Sequence, residues 1–282
     1  MSEMSMDARL PRSFHKTFKP ERQYIGAMLK YAGSGRQGDP QEIASATGIP
    51  TGTSTGKVPA ILDYCRAMGL IQLTGAERSA VKKPELTSFG RIVLLEDPFL
   101  KTPITQWIAH LNLCGPIRGA DVWYQTFFSG MPSLGMNFER TQLELYLSSV
   151  YGVASAGVVG PMIGMYEDDA AFRVCGALSE NSSHIVRKPA PVSEEFGFGY
   201  GAWILEQIAD HFHAAGQVSV TDLDRKAGWR TIPGWDIVNH QRALELVERK
   251  GIVEVDRHME PWLLRPAMPA ALAWKRIYDD LP

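Results

Sequence analysis

One pattern occurs twice in this chain, near each end, and it limits the folds open to both regions. A polar residue opens a short helix, a second helix follows, and a Gly-led apolar strand then enters a charged hairpin. The first copy reads Asp39-Pro40-Gln41-Glu42-Ile43 through Gly48, then Lys57 to Met68, then Gly69-Leu70-Ile71. The second reads Ser219-Val220-Thr221-Asp222-Leu223 through Gly228, then Trp235 to Lys250, then Gly251-Ile252-Val253-Glu254-Val255. Asp and Ser at a helix start accept hydrogen bonds from its free amides, and Pro at the first position is pre-set for the helix. Gly beyond the end takes the left-handed turn that closes it. Helix, turn, helix and hairpin in this order predict a winged helix-turn-helix. The expected fold class is mainly α with small β wings (α+β), as two winged units joined by a helical region. Nucleic acid is then the leading partner.

The rest of the chain is divided around these copies. Residues 1–13 read as a disordered lead and 14–96 as an N-terminal winged-helix domain. In the latter, Tyr24, Ile25, Met28, Leu29 and Ala32 fall at helical spacing. Arg78, Lys82 and Lys83 stand at the tip of its wing. Residues 97–180 read as a helical domain with Pro and Gly breaks, ending near a strand-like Phe172-Arg173-Val174. Pro189, Pro191 and several Gly mark 181–198 as a linker. Residues 199–282 form a C-terminal winged-helix-like domain with a final helix around Ala271 to Asp279.

Charge tempers the nucleic-acid reading. Among 282 residues the formal net charge is −2. A dedicated non-specific DNA coater would be basic, because phosphate neutralisation supplies most of its affinity. Binding here has to come from local basic patches, and a protein partner gains weight. No apolar run reaches the ~18 residues of a membrane span. The polar, acid-bearing N-terminus resembles neither a signal nor a transit peptide. Cys65, Cys114 and Cys175 are far apart and lack CxxC spacing, so neither a zinc knuckle nor a disulfide framework is supported. A cytoplasmic protein fits.

Several clusters invite chemistry. Gly52 to Val58 suggests a phosphate loop, but only three residues separate Gly52 from Gly56, and Val58 stands where Ser or Thr would reach magnesium. Glu167-Asp168-Asp169 is the densest carboxylate group, and nucleases often hold a metal with two or three acids. The same run could equally solvate a helix end. His15 and His110 lie among aromatics; they are candidate general bases, since imidazole titrates near neutral pH, or packed structural residues. His211 and His213, two apart on a helix, cannot easily share a metal. For DNA contact the candidates are Lys57 and Arg66 in the first unit with Lys82 and Lys83 in its wing. Arg230, Asn239, His240 and Arg242 are their counterparts in the second. Glu245 and Glu248 on that second helix would repel phosphate.

Further residues carry a resemblance. They are Phe14-His15-Lys16-Thr17-Phe18 with Arg22, then Val58-Pro59-Ala60-Ile61 and Tyr64-Cys65-Arg66-Ala67-Met68-Gly69-Leu70-Ile71. Leu86-Thr87, Phe89-Gly90, Asp97-Pro98-Phe99-Leu100, Thr105, Trp107 and His110 complete the series. Over Phe14 to about Leu178 the chain resembles the SspB-like DNA nickase family of bacterial single-strand DNA phosphorothioation systems. This was first catalogued as a domain of unknown function beside genes resembling PAPS reductases. The family's opening motif has Gly and Glu where Phe14 and Lys16 stand here. The resemblance carries His15, Thr17, Arg22 and His110 across, Arg22 as a DNA contact.

The resemblance implies a nick in one DNA strand that lets sulfur replace a phosphate oxygen. It implies a metal-dependent endonuclease using Mg2+ or Mn2+, for which the carboxylate cluster Glu167, Asp168 and Asp169 offers ligands and His15 or His110 a base. It also implies double-stranded DNA as partner, with the ATPase and PAPS-reductase-like subunits of a phosphorothioation complex in phage defence. Two alternatives stand beside the nickase. One is a non-catalytic targeting subunit; the other is a transcriptional regulator sensing a ligand within Asp97–Leu178. A homodimer is left open.

Overall fold

The computed structural model describes residues 8–52, 56–75, 79–213 and 215–282. Arg78, the centre of the Gly52–Val58 loop and the first half of the expected lead lie outside the described residues. The chain folds as two compact units. One takes in the chain to Cys114 and Arg118–Lys188; the other takes in Gly115–Ile117 and Pro189–Pro282. The architecture is mixed α+β, with helices and small antiparallel sheets.

Unit one begins with α1 (Arg22–Gly33), α2 (Pro40–Thr47) and α3 (Lys57–Ala67), followed by the hairpin of β1 (Ile71–Thr74) and β2 (Lys83–Leu86). The Asp39 carboxylate accepts from the amides of Gln41 and Glu42, and the Glu42 carboxylate in turn accepts from the Asp39 amide at 2.8 Å. That reciprocal cap fixes where α2 starts. Gly38 pairs with Lys82 through both main-chain hydrogen bonds, which lays a third short segment against the second strand of the hairpin. Next come α4 (Ser88–Glu96), α5 (Pro103–Leu113) and α6 (Asp121–Tyr124), the last running into one π-helical turn, Gln125–Ser129. Then follow α7 (Met131–Leu134), β3 (Asn137–Glu139), α8 (Arg140–Tyr151), α9 (Ala156–Glu167), β4 (Leu178–Asn181) and β5 (His184–Arg187). The second sheet has the order β3-β5-β4. The core gathers Ile25, Met28 and Leu29 of α1, Ile61 and Cys65 of α3, and Trp107, Ile108 and Leu111 of α5, all buried.

Unit two carries α10 (Gly197–Phe212), β6 (Val218–Ser219), α11 (Val220–Ala227), α12 (Ile237–Arg249), β7 (Val253–Asp256), β8 (Leu263–Pro266) and α13 (Ala270–Trp274). Its sheet has the order β6-β8-β7. Trp203, Trp229 and Trp235 pack together at its centre, with successive ring centroids 5.5 and 5.2 Å apart and the second pair edge to face. The Ser219 hydroxyl caps α11 and the Asp236 carboxylate caps α12. The first part of unit one, to α4, and unit two share one element order. In each, a short extended segment pairs with the second hairpin strand, and left-handed glycines close the two central helices. These are Gly48 and Gly69 in unit one, Gly228 and Gly251 in unit two, at φ of 71°, 71°, 72° and 69°.

The structure redraws four expectations. Residues 8–13 are no loose lead: Leu10 is buried and hydrogen-bonds Gly119, and Arg9 pairs with Asp121 at 2.7 Å. The segments 14–96 and 97–180 share one unit, because α3 packs on α5 and their apolar faces fill one core. The 181–198 stretch is no linker, since β5 lies there as the central strand of its sheet and the boundary falls after Lys188. Phe172-Arg173-Val174 is a turn rather than a strand; the Phe172 amide bonds back to Met165 at 2.8 Å. No helix among the described residues is long and apolar enough to cross a membrane.

Candidate nucleic-acid interface

In unit one the helix expected to read DNA is closed off. Every residue of α3 is buried or half-buried, because α1, α2, α5 and β1 surround it. Lys57 is turned away from solvent, with Nζ 2.6 Å from Glu21 Oε1 and 4.6 Å from the Tyr24 ring centroid. Arg66 lies 3.7 Å from Asp63, whose carboxyl burial holds above the usual range. On the hairpin, Lys83 pairs with Glu85 at 2.7 Å, while the Lys82 main chain is held by Gly38. Arg22 donates to the main-chain oxygens of Asp169 at 2.6 Å and Phe99 at 3.4 Å, so it clamps α1 to two turns. Lys57 and Arg22 are thereby corrected from free DNA contacts to packing residues. A basic side chain reads as a contact in sequence whether or not a carboxylate far along the chain holds it.

In unit two the corresponding helix is open. One side of α12 packs on α10 and β7 through Ala243, Leu244, Leu246 and Val247, all buried. At about 100° per residue, Val238, Gln241, Arg242 and Glu245 fall on the opposite side and Ile237 at its edge, about 20° from Leu244. All five are exposed, Ile237 by 65% and Val238 by 54%. The Asp236 carboxylate accepts the Asn239 amide at 2.7 Å, so it faces the helix end. Arg230 stands ahead of the helix, 3.5 Å from Asp224 and 43% exposed. Asn239 is half-buried, and His240 turns inward, where burial lowers its pKa. Of the residues named from sequence here, Arg242 and Arg230 keep an outward position. Glu248, expected to repel phosphate, is held by Arg257 of the hairpin at 2.8 Å. Sequence reasoning missed Ile237 and Val238. The signal was present for Val238, which falls out of phase with the buried 243, 244 and 247 positions, but not for Ile237, which lies about 20° from Leu244 by helical spacing and is exposed only because nothing packs over the helix start.

The two histidines expected from sequence as candidate bases are enclosed. His15 is 2% exposed and its Nδ1 accepts the Thr17 amide at 3.0 Å; burial lowers its pKa to about 4. His110 has no exposed surface, and burial, helped by the Arg187 charge, lowers its pKa to about 3. Its Nδ1 lies 2.7 Å from the Tyr166 hydroxyl, which also accepts Trp123 Nε1 at 2.9 Å. Neither imidazole can meet a DNA strand as this chain is folded, so both are corrected from candidate bases to core residues.

The three acids do not converge. Glu167 accepts the Glu180 amide at 3.0 Å, and Asp168 pairs with Lys19 while accepting the Ala170 amide. Asp169 is 84% exposed beside Arg173 at 3.1 Å. Consecutive residues at the end of α9 point in different directions, which separates the carboxylates. They do not fit a shared Mg2+ or Mn2+. Among the described residues no group of three or more His, Cys, Asp or Glu side chains is placed to hold a metal ion.

No family model matches the chain, and no curated protein matches it in sequence. Solved structures do. A magnesium ion-bound SspB crystal structure is similar at a TM-score of 0.73 and 18% identity, covering 99% of this chain and 91% of that one. A second SspB crystal structure gives 0.71 and 18%, over 98% and 90%. The sequence resemblance ended near Leu178, whereas the structural likeness runs through both units. At this identity the likeness shows architecture: from end to end, the chain has the fold of SspB.

Proposed function

We propose that this chain is a DNA-binding component of a DNA phosphorothioation system, and that both units are winged helix-turn-helix modules of which the second reads DNA. One observation carries the reading. The α12 helix, capped by Asp236 and followed by the β7–β8 hairpin, leaves a whole face open. A helix that enters a major groove needs such a face, and α3 lacks one. The SspB fold and the family resemblance supply the phosphorothioation setting. In it the chain would bring the ATPase and PAPS-reductase-like subunits to their DNA site.

The test is a mobility shift of duplex DNA across a salt series. Arg242→Ala is expected to weaken binding and lower the salt slope by about 1, the release of one counterion site. Affinity and slope unchanged in that variant would reject α12 as the contact.

A second reading adds cutting of one strand. The magnesium-bound SspB neighbour favours it. Conversion of supercoiled to open-circle plasmid with Mg2+, Mn2+ or EDTA tests it. Because the three acids are separated, metal-dependent nicking is expected to survive the Asp168→Ala/Asp169→Ala double variant. Nicking lost in a double variant that melts normally would restore that cluster.

A further inference from the structure

Ile237 and Val238 sit side by side at the start of α12 and face solvent, although the helix buries four other apolar residues. Neither serves the core, and β-branched residues weaken an exposed helix rather than strengthen it. Gln241 lies between them on the same face, about 40° from Ile237 and about 60° from Val238 by helical spacing. Arg242 follows at the edge, and Arg230 stands before the helix start. The first two turns of this face carry two branched apolar groups, one amide and one cation. The exposed acid, Glu245, comes a turn later. Flanking cations suit a polyanion, and Asp236 is turned to its own helix.

We propose that Ile237 and Val238 read thymine through its 5-methyl group in the major groove, with Gln241 on a neighbouring adenine. The inference rests on the DNA reading above and gives it a base preference. Thymine is the one base that presents a methyl group there, and a glutamine amide matches the N6 and N7 edge of adenine. Residues at the start of such a helix are those that reach base edges. Arg242 and Arg230 are then left for phosphates, which position without specifying.

The experiment selects bound duplexes from a pool with a randomised centre, then resynthesises them with uracil in place of thymine. The full chain is expected to bind the uracil form weaker by about fourfold per methyl covered, the transfer free energy of one buried methyl. Ile237→Ala/Val238→Ala should melt as the parent does, since both side chains are exposed, and should bind the two forms equally. Parent binding that ignores the methyl overturns this inference and leaves the DNA reading standing. Discrimination that persists in the double variant overturns the assignment to these residues. No binding of either form overturns the DNA reading with it, and points to an apolar protein surface as the occupant of the face.

Discussion

At His110 the imidazole lies against the Tyr166 hydroxyl, which also accepts from Trp123, so a proton on the ring would place a charge in a closed aromatic shell. His15 is in a similar position, packed edge-on to Phe14 and Trp123. Both hold pKa values below the ordinary 6.5, at about 3 for His110 and about 4 for His15. In the unfolded chain both protonate near 6.5. Between that pH and the folded values, the unfolded state therefore binds more protons than the folded one. Stability from neutral imidazoles is complete above pH ~6.5 and lost as the pH falls, by about 1.4 kcal/mol per unit for each histidine. Urea titrations from pH 7 to pH 4 should show that slope, and His110→Gln should remove about one histidine's share. Equal slopes in parent and variant would mean the ring titrates normally in the fold. The same burial explains why the two residues misled the sequence reading. Histidine among aromatics describes a catalytic pocket and a packed core equally well, and only the absence of exposed surface separates them.

Helix ends and close approaches set the element scale. Asp236 holds the start of the open helix, so Asp236→Ala should cost about 1 kcal/mol, the usual worth of such a cap. Two glycines sit where elements press together. A Cβ at Gly201 would lie 2.2 Å from Ile252 Cδ1, an atom at the end of a side chain that can turn. A Cβ at Gly90 would lie 1.8 Å from the Leu70 carbonyl oxygen, which accepts from the amide and the hydroxyl of Thr87. Gly201→Ala should thus cost about 1–3 kcal/mol as overpacking, and Gly90→Ala more. The reverse order in urea unfolding would show the backbone at Leu70 to be the softer of the two. Caps were legible from sequence because they are local. Asp39, Ser219 and the glycines after each helix carry their partners within a few residues. The facing of α3 was not, since it depends on α1 and α5, and neither was β5, which is a strand only because β3 and β4 flank it. Ion pairs behave alike: Glu21 is 36 residues from Lys57, and Asp168 is 149 residues from Lys19.

For the whole molecule, charge decides what kind of DNA binder this can be. From Pro189 to the end there are 10 Lys and Arg against 14 Asp and Glu. A unit of that balance gains nothing from its overall field, so affinity must come from where individual cations stand. Several are already committed. Arg225 pairs with Asp222, Arg249 with Glu194 and Lys250 with Glu194 and Asp280. Arg242 and Arg230 lie beside the open face, while Arg257 of the hairpin is itself paired with Glu248 at 2.8 Å. Two phosphates neutralised would give a slope of log K against log salt of about −2, shallow for a DNA-binding protein. The full chain should show that slope, and Arg230→Ala/Arg242→Ala should bring it to about 0. A slope of about −8 that resists those substitutions would mean that many more phosphates are met elsewhere, and would move the interface to the basic residues of unit one. A shallow slope also fits the reading of bases: where phosphates supply little, discrimination has to come from the apolar and amide groups on the face of α12.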